Sequence, residues 1–314
     1  MEAEFYERSA CIACQSKNLK VLDTGKFGDE PHRSMLLDSP WGESPFPFLE
    51  QCAWTLVECE ACAQIFHLRV LTPEWTERRF TKWMSKDAIE RFRLLNGDLE
   101  PEAINNRARR MTDHILCIEK MARSLRGNSP TRLLDFGCGA GEFLTLANAF
   151  GFEAHGIDHS TARIEDFHGR VPIYESLEAS RAQGQELLHA ATLFDVLEHL
   201  EEPLSILKAI HERLVPSGIL VVEVPNAEGV RQIKNNEDLV VDGVDHLNAF
   251  TPATLKRIVE RAGFIPTKRP TAHVTADVPR IIKREIRRVV GPFRKPSTQL
   301  YFRRAALVHE SGIE

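Results

Sequence analysis

Between residues 131 and 265 the chain alternates two hydrophobic patterns. TRLLDF, FEAHGID, AATLF and GILVVEV are short, largely apolar runs that predict strands. LKAIHERL and TPATLKRIVERAGF place their apolar residues at helical spacing and predict amphipathic helices. Such alternation argues for an α/β architecture built on a parallel sheet. Upstream, residues 73–126 read as helical. TPEWTERRFTKWM offers Thr72 as N-cap and Pro73 as first helical residue, and IEKMARSLRG runs to a stop at Gly127 and Pro130. Residues 1–72 show little helical period, and their prolines and glycines, as in SPWGESPFPFLE, predict loops. A basic segment, 278–297, precedes a last strand within TQLYFRRAALV. The predicted organisation is a small N-terminal domain over 1–72, a helical connector over 73–126 and an α/β domain over 127–314.

Composition narrows the functional classes. Apolar residues make up 43% of the 314, enough for a sizeable core and too many for a disordered chain. The net charge of −5 excludes a polycation built to coat nucleic acid. No apolar run reaches the ~18 residues of a membrane span. MEAEFYERSA, with three glutamates and no apolar centre, does not read as a secretory signal. The seven cysteines then suggest a reduced, cytoplasmic protein whose thiols are available to a metal.

Two cysteine pairs stand out: CIAC (Cys11, Cys14) and CEAC (Cys59, Cys62), separated by 44 residues. Four thiolates make a closed tetrahedral zinc site with no open position, so the expected metal is structural. A redox role is disfavoured because neither pair begins a helix in a βαβ unit. Cys52 and Cys117 read as packing residues.

The sharpest motif is LLDFGCGAGEF, residues 133–143. A strand end at Phe136 is followed by Gly137, Cys138, Gly139 and Gly141, then by a helix whose N-terminus offers free N–H groups to a ligand. The next strand ends at Asp158, placed to receive a pair of ribose hydroxyls. The turn is one residue shorter than a dinucleotide fingerprint, and Asp135 before it can accept a hydrogen bond from an amino group. DFGCGAGEF resembles the first motif of class I S-adenosylmethionine-dependent methyltransferases. FDVLEHLEEPLSILKAIHERLVPSGILVVEVPN and HLNAFTPATLKRIVERAGF are similar to later elements of that family, so the resemblance covers about residues 130–308. It implies a seven-stranded Rossmann-like sheet. It assigns the methionine part of the cofactor to Asp135 and to the backbone of the turn, Cys138 included, and the ribose to Asp158. It also brings the end of the fourth strand, Phe194 and Asp195, to the cofactor. Where the family often has an aspartate for the adenine, this chain has Glu175, Ser176 and Leu177 as the candidates. The cysteine pairs resemble those of methyltransferases with an N-terminal zinc ribbon, many of which modify sugars or natural products.

Asp195, Glu198 and His199 are spaced to share one face of a helical turn. Two chemistries fit. His199 or His246 could remove the proton of a hydroxyl acceptor, with Glu198 beside it. Alternatively these carboxylates and histidines could hold a divalent cation such as Mg²⁺. DVLEH with a downstream DH is similar to two metal-using groups, ubiquinone-pathway O-methyltransferases and small-RNA 2′-O-methyltransferases, which have glutamate where this chain has Asp195. A third reading has LEH packing beneath the cofactor. In the basic segment, Arg280, Lys283, Arg284, Arg287 and Arg288 recur at helical spacing, with Arg294 and Lys295 beyond. They read first as a solvated lid and second as a phosphate, RNA or membrane-surface contact. The resulting expectation is a methyltransferase that O-methylates a small hydroxylated molecule, sugar- or nucleotide-linked, with a phosphate group as a second guess. A metal-dependent RNA 2′-O-methyltransferase and a non-catalytic cofactor-binding scaffold are the alternatives.

Overall fold

The computed structural model describes residues 2–159, 171–182, 187–272, 282 and 297–305. Apart from Ile282 and Ser297, the 278–297 segment therefore lies outside the described residues, and with it the basic side chains noted above.

In chain order the N-terminal elements are β1 (Phe5–Glu7), β2 (Leu19–Lys26), α1 (His32–Asp38), α2 (Phe46–Leu49), β3 (Ala53–Cys59), β4 (Ile65–His67) and β5 (Arg69–Leu71). The connector holds α3 (Pro73–Arg78), α4 (Lys86–Leu95) and the long α5 (Pro101–Arg126). Its helical periodicity conceals one irregularity, a π-helical turn over Arg79–Trp83. Pro73 does open α3, but the Thr72 hydroxyl makes no capping bond, and Gly127 ends α5 at a positive φ.

The remaining elements are β6 (Arg132–Phe136), α6 (Glu142–Ala149), β7 (Glu153–Ile157), β8 (Ile173–Tyr174), α7 (Leu177–Ala182), β9 (Leu188–Phe194), α8 (Pro203–Arg213), β10 (Leu214–Glu223), β11 (Asn248–Ala249), α9 (Pro252–Arg261), β12 (Phe264–Thr267) and β13 (Gln299–Arg304). Seven of these strands form one sheet in the order β12-β13-β10-β9-β6-β7-β8. β8, β7, β6, β9 and β10 run parallel, and β13 is antiparallel to both neighbours. The central strands are apolar on both faces because helices cover both; residues 188–193 are buried without a break. The chain leaves β6 in one direction through β7 and β8 and returns to β9 on its other side. The crevice beyond the carboxyl ends of β6 and β9 is thus the switch point where open α/β sheets bind ligands. The Rossmann-like fold class expected from the resemblance is the one observed.

The N-terminal stretch packs directly against this sheet. β2, β3 and β4 form an antiparallel sheet completed by β11 from the far end of the chain. Cys11, Ile12, Val57 and Phe66 share one apolar core with Leu197, Phe250, Leu255 and Ile258. Among the described residues no helix is long and apolar enough to cross a membrane.

Candidate active site

The four cysteines of the two CxxC pairs converge. Cys11 and Cys62 sulfurs are 3.5 Å apart, Cys14 and Cys59 sulfurs 3.4 Å, and all four lie within 4.8 Å of one another. Zinc–sulfur bonds of ~2.3 Å set tetrahedral sulfur–sulfur edges of ~3.8 Å, so the donor set fits zinc. The two pairs are built alike. Each is followed by a residue with positive φ, Gln15 and Ala63, whose N–H returns to the carbonyl of the first cysteine at 2.9 and 2.8 Å. These twin knuckles fit a zinc ribbon.

The glycine turn takes the shape its residues predicted. Gly137, Gly139 and Gly141 all have positive φ. At Gly137 an added Cβ would lie 2.5 Å from Val196 Cγ2, so the turn is pressed against the chain leaving β9. Gly139 N–H donates to Asp158 Oδ2 at 2.8 Å, and Gly141 N-caps α6. Asp135 lies buried beneath the turn and accepts the Thr192 hydroxyl at 2.6 Å. Burial, aided by the negative Asp158, pushes its pKa up to about 7 against the opposing Thr192 bond. Cys138 Sγ occupies the space beside Gly156 where a Cβ would stand. The connector reaches over this side. Arg93 and Arg107 both bond Glu142 in the first turn of α6, at 2.7 and 2.9 Å, and Phe80 stacks on His159.

Three of the expected cofactor residues also make contacts within the protein. Ser176 Oγ accepts from Ala179 N–H, Leu177 is buried in the core, and the Phe194 ring packs between Phe143 and His114.

Beyond β9 the structure corrects one premise. Residues 195–199 form a tight turn, not a helical turn, with Asp195 at φ +55°. Asp195 is exposed and stays outside the cluster of Glu198, His199 and His246, whose ligating atoms lie within 4.8 Å of one another. The two rings meet edge to face with centroids 4.8 Å apart. His246 Nδ1 is 3.0 Å from the Val240 carbonyl, and His199 Nδ1 is 3.0 Å from both the carbonyl and Oδ1 of Asp245. Carbonyls only accept, so both Nδ1 atoms carry protons and the chemistry is left to Nε2. Burial disfavours the charged ring of His199, but Asp245 and Glu198 outweigh it and raise its pKa to about 9. Asp245 was absent from the sequence reading, although it stands in the quoted DH. Only the fold brings it to His199, 46 residues away.

Glu198 is 2% exposed, and neither carboxylate oxygen has a hydrogen-bond partner. Burial pushes its pKa up to about 7. A buried carboxylate without donors is costly unless it is protonated or meets a cation.

A cavity of about 400 Å³ joins the two sides. Gly137 and Asp158 line it from the glycine turn, and Asp195, His199 and Asp245 from the opposite side. Arg79, Phe80 and Met84 of the connector form its roof, with Glu201 at the rim fixed by the hydroxyls of Tyr6 and Thr76.

The chain is similar to known proteins over part of its length. A family profile described as "Methyltransferase domain" matches residues 106–268. A ubiquinone biosynthesis O-methyltransferase of Shewanella sp. (strain ANA-3) is 26% identical over 166 residues, 50% of this chain and 65% of that protein. Its counterpart in Aeromonas salmonicida (strain A449) is 30% identical over 149 residues, 43% of this chain and 63% of that protein. The chain thus spans less than two thirds of either relative. The crystal structure of a SAM-dependent methyltransferase from Archaeoglobus fulgidus is 22% identical and covers 60% of this chain and 91% of its own, with a TM-score of 0.38.

Proposed function

The chain belongs to the methyltransferase-domain family, and from that premise we propose that it transfers the methyl group of S-adenosylmethionine to a hydroxyl of a small molecule. One observation carries the reading: the glycine turn with Asp158 and the His199–Asp245 pair line a single cavity of about 400 Å³. In this reading Asp135 receives the methionine ammonium, the turn receives its carboxylate and Asp158 the ribose. His199, its Nδ1–H held by Asp245, takes the acceptor proton on Nε2 from its neutral form, the minor species below its pKa of about 9, as the oxygen displaces the sulfonium sulfur in line. The methyl carbon passes from sulfur to oxygen, and S-adenosylhomocysteine leaves. The roof of Arg79, Phe80 and Met84 orders the reactants and excludes water.

The acceptor is small and hydroxylated; an oxygen acceptor agrees with the relatives named ubiquinone biosynthesis O-methyltransferase. The rim carboxylates Asp195, Glu201 and Glu202 suit hydroxyl groups better than phosphate. Zinc on the four cysteines holds the N-terminal knuckles together.

The orphaned carboxylate of Glu198 favours a second reading of the same step, in which Glu198 and the Nε2 atoms of His199 and His246 hold a divalent cation. Such a cation would lower the pKa of the acceptor hydroxyl.

Purified protein given S-adenosylmethionine with a labelled methyl group and fractionated lysate tests both. Label in small molecules is the expected result, with S-adenosylhomocysteine raising Tm. EDTA-sensitive transfer restored by Mg²⁺ selects the second reading. Label confined to RNA overturns the small-molecule acceptor, and a thermal shift with S-adenosylhomocysteine but no label in any fraction returns the cofactor-binding scaffold alternative.

A further inference from the structure

The segment carrying Asp245 and His246 is held by side chains from the first 79 residues. His32 Nε2–H donates to the Asp242 carbonyl at 2.9 Å, and His67 Nε2–H to the Val241 carbonyl at 3.2 Å. Gly243, at φ +81°, lies so close to His67 that a Cβ would stand 2.7 Å from its ring. Inside the segment, Asp242 Oδ1 accepts the N–H groups of Val244 and Asp245, and Oδ2 that of His246.

Arg79 adds the contact nearest the chemistry. Its Nη1 donates to the Val244 carbonyl at 2.7 Å and reaches the Asp245 carbonyl at 3.5 Å, the same oxygen that receives His199 Nδ1–H. The side chain is only 2% exposed, and its Nε has no partner. Burying a guanidinium this way is expensive; Asp245, Asp242 and Glu201 offset part of the cost. The π-helical turn brings it there. Arg79 and Trp83 face inward from that turn while Lys82 stays in solvent. Irregular turns of this type are frequent at functional sites.

We propose that Arg79 is a positioning residue for methyl transfer, fixing the backbone and side chain of Asp245 and through them the ring of His199. The connector thereby sets the geometry of a group that the α/β domain carries. This rests on the reading of His199 as the group that meets the acceptor.

The test introduces Arg79→Gln and Arg79→Lys into the full chain and into an Asp245→Asn background. Arg79→Gln is expected to lower kcat about 10–100-fold and to move the KM for the methyl donor by less than about twofold. Arg79→Lys, which keeps the charge and a donor, recovers part of the loss. In the Asp245→Asn background the Gln substitution costs less than about threefold, because two residues acting through one contact are not additive. The hydrogen-bonded Nδ1 proton of His199, followed by NMR, shifts in Arg79→Gln. Equal losses in both backgrounds, a loss taken in donor KM, or an unchanged His199 signal would overturn the proposal. If Arg79→Gln does not fold, Arg79→Lys in the two backgrounds carries the same comparison. If the unmodified protein transfers no methyl group, the functional reading fails, and the His199 signal still decides the role of Arg79.

Discussion

The two sides of the cavity are assembled differently. The donor side comes from one continuous stretch, residues 132–158, in which strand, glycine turn, helix and strand follow one another. Gly139 to Asp158 closes that stretch on itself, and a single outside bond, from Thr192 of the adjacent strand β9, reaches Asp135. The acceptor side is gathered from 195–201, 242–246 and side chains as remote in sequence as His32, His67 and Arg79. A locally built half tolerates change elsewhere. A half assembled over long range fails when any contributor moves, so under the proposed function the N-terminal region acts on catalysis as well as on the stability of the fold.

The strongest challenge to this division is His199→Gln. Loss of a general base is expected to cut kcat about 10²–10⁴-fold. The Kd for S-adenosylhomocysteine, read by calorimetry, should not change. A parallel loss of affinity would mean that the two sides are not separable.

A matched pair of glycines sharpens it with a smaller effect. Gly137 and Gly243 both have positive φ, and an added Cβ would stand 2.5 Å from Val196 in one case and 2.7 Å from His67 in the other. Alanine at either position should cost about 1–2 kcal/mol of stability from the backbone alone. The functional losses should divide: Gly137→Ala weakens donor binding, whereas Gly243→Ala leaves donor binding intact and lowers kcat. The same kinetic signature from both variants would show that the N-terminal region acts only by holding the fold together.

Legibility in the sequence follows the same line. β6, the turn and β7 could be read because their signals are local: a buried apolar run, glycines where φ is positive, and an acid at the next strand end. The Cys knuckles could be paired by residue type alone, but not the positive φ of Gln15 and Ala63 that shapes them. On the acceptor side, i, i+3, i+4 spacing suggested a helical face, yet Asp195 takes a left-handed conformation and leaves the cluster. The π-helical turn at Arg79 was hidden because helical periodicity continues through it. Asp245 and Arg79 looked like ordinary charges until long-range pairing placed them beside His199. His67, one of 12 histidines, has no sequence signal that sets it apart.

The smallest effect concerns the donor side alone and comes from Asp135. Its carboxyl, raised to about 7 by burial, binds its proton more tightly in the folded protein than in the unfolded chain, where aspartate titrates near ~3.9. Asp135 therefore favours folding fully below about pH 4, and that contribution disappears as pH rises through about 7. A donor ammonium needs the ionised form, so cofactor binding has the opposite sign. Affinity should rise about tenfold between pH 6 and pH 7.5 and then level off, while the contribution of Asp135 to the stability of the unliganded protein declines over the same range. Asp135→Asn should flatten both dependences without moving the His199 signal. A donor Kd independent of pH across that window would remove Asp135 from the binding site and leave the glycine turn and Asp158 to hold the cofactor.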